Sequence, residues 1–317
     1  MLKIAILGAG NISLSHMEAW LKIPEAAVVA ACDIRSERTH LAWEMTQCRE
    51  YQDFETMMAH EQPDIVDICL PTYLHTEYAV KAMKQGAHVL CEKPLSLHEE
   101  DIIRCYRTAQ ETGRCFMIAQ VLRFWGEYEQ LKHAYDSGNY GALISATMTR
   151  LGKAPKSSWE QWMLDEGKSG LTPFDLHIHD LDFLIYAFGP PQTIDCHRAK
   201  GQGRDDIHVI YGYNGFFVSC QAAWFDCPYT FQCGYRFQFE RALMEYQAGH
   251  LRVFHQDGKI ETPGLDSATF QDGTVPTTNA YLNEIRYFCD CVLSQQPCEK
   301  VKEKELIAVL RTIRQLT

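Results

Sequence analysis

The feature that most constrains this chain is an alternation in its first 120 residues. Short continuous apolar runs at 3–7, 27–32, 65–70, 88–91 and 115–119 are separated by helical patterns near 14–22, 36–46, 53–60, 75–85 and 98–112. Strands apolar on both faces belong to a sheet covered on both sides, and this spacing implies parallel strands joined by crossover helices. A doubly wound α/β domain over 1–121 is therefore predicted. After Gly141 the texture changes. Runs rich in aromatic and β-branched residues follow at 143–151, 194–199, 207–213, 216–225 and 235–239, with one helical pattern at 174–187. Asn214-Gly215 is a hairpin signal, because that pair suits the positive φ values of a type I′ turn. The second part, 122–317, is predicted as an α+β domain with a large, mostly antiparallel open sheet. Helical segments near 278–294 and 303–316 close the chain and are expected to pack back on the first domain.

Charge narrows the partners. With 30 Lys and Arg against 41 Asp and Glu, the net charge is −11. Such a surface repels a phosphate backbone, so nucleic acid is excluded as an expected partner. The 13 cysteines are odd in number and scattered, with no Cys-x-x-Cys pair. They read as reduced, mostly buried thiols, and no metal is expected. No run has the length of a membrane span, and no leader-like segment precedes the first strand, which leads to the expectation of a cytoplasmic protein with no membrane partner.

The first strand runs into Gly8-Ala-Gly10-Asn11-Ile12-Ser13. Gly8 permits a tight turn, and Gly10 lets backbone approach a pyrophosphate at the positive end of the next helix. Ser13 stands where a third glycine is usual. The second strand ends in Asp33, at the spacing of the acid that binds an adenosine ribose, and a carboxylate there favours NAD over NADP. Asp33 as a cap for the helix near Ser36 is the competing reading, and Arg35 and Arg38 leave room for a 2′-phosphate.

Ligands bind such sheets at the carboxyl ends of strands. One end carries Leu70-Pro71-Thr72 followed by His75, another Glu92-Lys93-Pro94. A lysine there stabilises negative charge developing on a substrate oxygen, and Pro94 fixes its direction, a cis peptide being one means; a solvated surface lysine is the alternative. Further on, Asp175-Leu-His177-Ile-His179-Asp180-Leu-Asp182 falls on a helical pattern. Residues four apart share a face, so Asp175 and His179 point together with Asp182 near, while His177 faces away. An imidazole beside a carboxylate is a proton acceptor near neutral pH. A capping Asp and a packed His are the alternative.

Taken in order, GAGNISLSH, CLPTYLH, EKP and D-x-x-x-H-x-x-D resemble the glucose–fructose oxidoreductase / inositol dehydrogenase / rhizopine catabolism (Gfo/Idh/MocA) family over the whole chain. The resemblance implies an NAD(P)-dependent oxidoreductase acting on a secondary alcohol of a sugar, polyol or inositol. It implies Lys93, Asp175 and His179 as the catalytic group. It places Gly8, Gly10, Asn11, Ile12, Asp33, Arg35, Pro71, Thr72, His75, Glu92 and Lys93 at the cofactor, and Arg123 near the substrate, an ion pair being the other reading of that arginine. A homodimer or homotetramer built on the second sheet is also implied. Trp159 and Trp162 are expected in the core rather than in a pocket. His177 departs from the family's usual glycine and is expected to pack at an interface. Three rival readings stand beside this one: a redox-neutral NAD-dependent glycosidase or lyase, a non-catalytic NAD-binding regulator, and a metal hydrolase using His177-x-His179.

Overall fold

The computed structural model describes residues 1–264 and 278–316. The chain divides into two compact units, Met1–Val121 with Tyr281–Ile307, and Leu122–Ala280 with Ala308–Thr317.

In the first unit, β1 (Leu2–Leu7), β2 (Ala26–Cys32), β3 (Arg49–Tyr51), β4 (Ile65–Ile68), β5 (His88–Glu92) and β6 (Phe116–Ala119) form a parallel sheet in the order β3-β2-β1-β4-β5-β6. Crossovers are made by α1 (Asn11–Trp20), α2 (Ser36–Thr46), α3 (Phe54–Glu61), α4 (Thr72–Lys84) and α5 (Glu99–Thr112). The apolar runs behave as burial on two faces requires: Ile4, Ala5, Ile6, Ile65, Val66, Val89 and Leu90 are all fully buried. The sequence reading had no strand at β3. Its three residues, Arg-Glu-Tyr, are exposed or half-buried and join the sheet edge through backbone pairing to β2 alone. Strand order reverses between β1 and β4, so the crevice for a ligand opens at their carboxyl ends.

In the second unit, β7 (Leu143–Lys153), β8 (Thr193–Gly201), β9 (Arg204–Gly212), β10 (Phe217–Phe225), β11 (Gln232–Phe239), β12 (Ala242–Gln247), β13 (His250–His255) and β14 (Ile260–Glu261) form one open sheet, β14-β13-β12-β11-β7-β10-β9-β8. Only the β7–β10 pair is parallel. The unit also holds α6 (Gly126–Ser137), α7 (Glu166–Ser169) and α8 (Ile178–Phe188). Inward residues alternate along each strand, as in β9, where Ile207, Val209 and Tyr211 are fully buried. An aromatic cluster joins helices to sheet: Tyr128 meets Phe183 edge-on at 5.0 Å and Tyr235 at 5.1 Å between ring centres.

Two local expectations are corrected. The β9–β10 hairpin forms, but only Gly215 takes a positive φ (+88°), so the turn is not type I′. Its closing pair is Tyr213 N–H to Phe216 O at 2.9 Å, and the Tyr213 and Phe216 rings stack at 4.7 Å, favouring that geometry. The helix at 174–187 is not uniform: Pro173–His177 form a wide π turn that runs into α8. Of the closing helices, α9 (Ala280–Ser294) groups with the first unit from Tyr281 onward, and the boundary at Ile307 falls within α10 (Glu303–Ile313).

Candidate active site

The loop after β1 is shaped by a contact that only glycine permits. Gly8 has φ +90°, and a Cβ there would lie 2.7 Å from the Cys69 carbonyl oxygen at the end of β4. Gly10 caps α1 in an extended conformation with no side-chain cap, and nothing lies within 4 Å of where its Cβ would be. The first N–H groups of α1, from Asn11 and Ile12 on, thus have no side-chain cap from Gly10 and stand at the positive end of a helix dipole, a cradle that suits a pyrophosphate. Ser13 fills the third-glycine position without disturbance: it is fully buried and its hydroxyl donates to Gly10 O at 2.7 Å. Arg38 braces the loop by donating to Ala9 O (2.7 Å) and Asn11 Oδ1 (3.1 Å).

Asp33 closes the other side of the loop. Its carboxylate accepts from Ala9 N–H at 2.9 Å and from the Arg35 backbone and guanidinium at 3.0 Å. It is not the cap of α2, whose N-cap is Arg35 with no side-chain bond. Arg35 is thus engaged with the acid beside it.

At the carboxyl ends of β4 and β5 the chain builds a clamp. Pro71 caps α4. Thr72 and His75, expected along the cofactor, are both buried. The His75 ring sits between Leu70 O (2.7 Å) and Pro94 O (2.8 Å), joining the two loops. Burial lowers its pKa, more than the two carbonyls raise it. The Lys93–Pro94 peptide is cis. Lys93 is half-buried, while its backbone N–H donates to Glu92 Oε2 at 3.1 Å.

Beneath this turn lies a charge string that sequence reasoning missed. His16, on α1 and fully buried, places Nδ1 2.9 Å from Asp67 and Nε2 3.1 Å from Glu92. Trp20 Nε1–H donates to the same Asp67 at 2.7 Å. A ring with a carboxylate at each nitrogen is an imidazolium. Burial is the largest single influence and opposes that charge, but Asp67 and Cys69 together outweigh it and hold the His16 pKa well above its ordinary value. In turn, burial is the largest influence on Glu92 and would raise it, but the bond and charge of His16, with Lys93 and His75, together leave Glu92 lowered. The available signal was Asp67 itself, a charge inside the buried run Ile65-Val-Asp-Ile, which demands a partner. Among the described residues, His16, Asp67 and Cys69 alone have the spacing of a metal-binding group. Both His16 ring nitrogens are already engaged, by Asp67 and by Glu92, so in this arrangement the ring turns no open nitrogen toward an ion.

In the second unit the wide turn changes the geometry read from a regular helix. Asp175 lies in the π turn and His179 in the first turn of α8; both are half-buried, whereas His177, Asp180 and Asp182 are buried. Asp182 is not beside Asp175 and His179 as a free acid but is bound by Arg123, which donates through Nε (2.8 Å) and Nη2 (2.7 Å) while lying over the Tyr186 ring. Arg123 is fully buried, so its ion-pair reading describes it. Asp180 pairs with Arg150 at 2.8 Å. His177 is neither in a pocket nor at an interface: its Nε2 meets Tyr211 Oη at 2.6 Å in the core, and burial with the charge of Arg150 lowers its pKa to about 3. The zinc-type pairing of His177 with His179 needs a strand, and the segment is helical. Trp159 and Trp162 are not core residues; the 3₁₀ segment Trp159–Leu164 buries no side chain, and Trp159 is 41% exposed.

The chain is similar to known proteins over two segments. Residues 2–120 match the oxidoreductase family with an NAD-binding Rossmann fold, and residues 128–244 match the GFO/IDH/MocA C-terminal domain. D-glucoside 3-dehydrogenase of Escherichia coli K12 is 28% identical over 206 residues, 64% of this chain and 59% of that protein. A 2,7-anhydro-N-acetylneuraminate hydratase of Mediterraneibacter gnavus is 30% identical over 209 residues, 64% of this chain and 55% of that protein. The chain thus spans under two thirds of the length of these relatives. An Agrobacterium radiobacter oxidoreductase, crystallised with NAD+, L-tartaric acid and magnesium, has the same fold, with a TM-score of 0.82, 17% identity and coverage of 99% of this chain and 95% of that one.

Proposed function

The chain belongs to the Gfo/Idh/MocA family of oxidoreductases, and from that premise we propose that it oxidises, reversibly, a secondary alcohol of a sugar, polyol or inositol with NAD. When bound, the nicotinamide supplies the hydride chemistry. The residues present fit such a cofactor. The uncapped start of α1 with Gly8, Gly10, Asn11 and Ile12 would hold the pyrophosphate, and Asp33 would take the ribose hydroxyls. Asp33 favours NAD over NADP because Arg35, the nearest candidate for a 2′-phosphate, is paired with it.

The observation that carries the reading is the Glu92-Lys93 turn at the carboxyl end of β5, anchored from below by a buried imidazolium. Glu92 ends the buried strand because His16 pairs with it in the core, and this anchoring fixes where the half-buried lysine begins. Lys93 stabilises the alkoxide-like oxygen. His179 takes the hydroxyl proton, and Asp175 orients the substrate or tunes His179. Their half-burial, beside neighbours that are fully buried and paired, supports those assignments. Arg123 acts through Asp182 to hold α8, which carries His179.

The test is absorbance at the reduced-nicotinamide band, with NAD or NADP and a panel of aldoses, polyols, inositols and sugar acids, in the native protein and in Lys93→Met. Signal growth with one substrate, a drop of about 10²–10³-fold in turnover for Lys93→Met and NAD binding retained support the reading. Equal turnover in the variant removes Lys93 from the mechanism. The match to a hydratase gives a second reading some support: an enzyme with no net oxidation leaves the trace flat while consuming an anhydrosugar or glycoside, which product analysis would reveal.

Assembly as a homodimer or homotetramer through the second unit's sheet is part of the proposal, and light scattering tests it. Its support is an outward face on which Ile144, Ile210 and Phe217 of neighbouring strands are exposed. A cytoplasmic setting is supported by the free state of the 13 cysteines, nine of them buried.

A further inference from the structure

A second cavity lies in the first unit, at the end of the sheet opposite the crevice. It has a volume of about 740 Å³ and is lined by His88, Tyr106, Arg114, Cys115, Cys298 and Lys302, among others. His88 opens β5 and Cys115 precedes β6, so the cavity sits at the amino ends of these strands, against the turn that joins α9 to α10. Cys115 and Cys298 both line the cavity. The Cys115 thiol reaches Gln296 O at 3.7 Å, two residues before Cys298, and the Cys291 thiol reaches Pro297 O at 3.9 Å. Cys298 is hydrogen-bonded to Cys115 and to Cys291. The Cys115 backbone N–H donates to His88 Nδ1 at 2.9 Å, which fixes the imidazole beside the thiol.

We propose that Cys115 and Cys298 are a peroxide-reactive thiol pair, with Cys115 the nucleophile and Cys298 the resolving thiol. The Cys115 thiolate attacks one oxygen of a hydroperoxide and breaks the O–O bond. It becomes a sulfenic acid, and the other oxygen leaves as water or an alcohol. The Cys298 sulfur then attacks the sulfenic sulfur and expels water, forming the disulfide. In sum two thiols and one hydroperoxide give one disulfide, one water and one water or alcohol; the thiols are oxidised and the peroxide is reduced. The cluster sorts the roles. A hydrogen bond from Cys298 lowers the Cys115 thiol most; burial opposes this, and His88 and Arg114 add to the lowering. The same bond, with burial, raises Cys298, which keeps its proton. Cys115 and Cys298 are both half-buried, so a small peroxide has access, whereas most of the other cysteines are buried.

Cys227, an exposed thiol, provides the internal reference. At pH 6.5 an ordinary thiol is only about 1% thiolate, whereas Cys115, lowered to about 5, is almost wholly thiolate; the weaker nucleophilicity of a low-pKa thiolate takes back most of that gain, so Cys115 should react about two- to fourfold faster. The experiment is a hydrogen peroxide titration of the full chain, followed by differential isotope alkylation and peptide mass spectrometry. The expected result is joint loss of the Cys115 and Cys298 thiols ahead of Cys227, with a Cys115–Cys298 linked peptide. In Cys298→Ser, oxidation should stop at a sulfenic acid on Cys115, trapped by a dimedone-type reagent. Loss of Cys227 first, or retention of both thiols in the native protein under peroxide, overturns the proposal without need of any variant. Neither outcome bears on the oxidoreductase reading, since the crevice holds none of these sulfurs.

Discussion

Changing Asp67 to Asn tests the charge string beneath Lys93. The variant keeps the side chain's shape and an oxygen for Trp20 Nε1–H, which Asp67 accepts at 2.7 Å, but removes the charge 2.9 Å from a fully buried His16. Removing one partner of a buried ion pair costs about 3–5 kcal/mol, a fall in Tm of about 5–8 °C for a protein of this size. The pH dependence gives a sharper signature. The folded pKa of His16 lies above its unfolded value, so its contribution is complete below about pH 6.5 and is lost as pH rises through the folded pKa. In the variant burial is no longer outweighed and the folded pKa falls. Protonation then favours the unfolded chain, and stability rises with pH through about 6.5. The gap between native and variant melts should therefore be widest near pH 5–6 and narrow toward pH 9, in thermal shift measured at half-unit steps. Glu92 should respond as well. His16 keeps its pKa low against burial, so the acid limb of kcat/KM should move to higher pH in the variant. The double variant His16→Gln/Asp67→Asn strands no imidazolium and should cost less than the sum of the single changes. A Tm within 2 °C of native, with a parallel pH profile, would refute the assignment of His16 as a buried cation.

Gly8→Ala puts a Cβ 2.7 Å from Cys69 O at φ +90°, a strain of about 1–3 kcal/mol, and should weaken NAD at least tenfold in a fluorescence titration. Asp33→Ala removes the acceptor for the ribose and releases Arg35; KM for NAD should rise about tenfold while the NADP-to-NAD ratio of kcat/KM increases. Arg123→Leu leaves Asp182 charged and fully buried, at a cost of about 3–5 kcal/mol read as Tm, and adding Asp182→Leu should recover most of it.

Much of the architecture was legible because it rests on periodicity. Runs such as Val28–Cys32 and Ile4–Leu7 are apolar on both faces and declare a parallel sheet, while the β9 pattern declares a sheet with one wet face. Elements formed by backbone pairing alone were not legible. β3 has no apolar residue beyond Tyr51. β13, His-Leu-Arg-Val-Phe-His, does bury Leu251 and Val253, but its alternation breaks at Val253-Phe254 and is too short to stand out. The π turn at Pro173–His177 was hidden for a related reason. Its residues suit a regular helix as well as a wide turn, and the local sequence states no preference.

The polar residues separate along a different line. A carboxylate or imidazole within a short segment carries no mark of whether it will be buried, because that depends on a partner far along the chain. Asp182 is claimed by Arg123 across 59 residues, Asp180 by Arg150 across 30, and His16 by Asp67 across 51 and by Glu92 across 76. Once those partners are in place, the segment from Asp175 to Asp182 resolves. Three of its five titratable groups are buried, and two, Asp175 and His179, keep access to solvent. The same sorting holds in the first unit, where His16, Asp67 and Glu92 are buried together and Lys93 alone projects from the turn they anchor. Burying a charge is unfavourable unless it is paired, and a buried pair is no better for stability than well-packed apolar side chains. Its advantage here is directional: an imidazolium between two carboxylates fixes the Glu92 carboxylate, and that carboxylate holds the Lys93 backbone. Fold and chemistry therefore meet at Glu92, which ends a strand of the core and anchors the residue proposed to act on substrate.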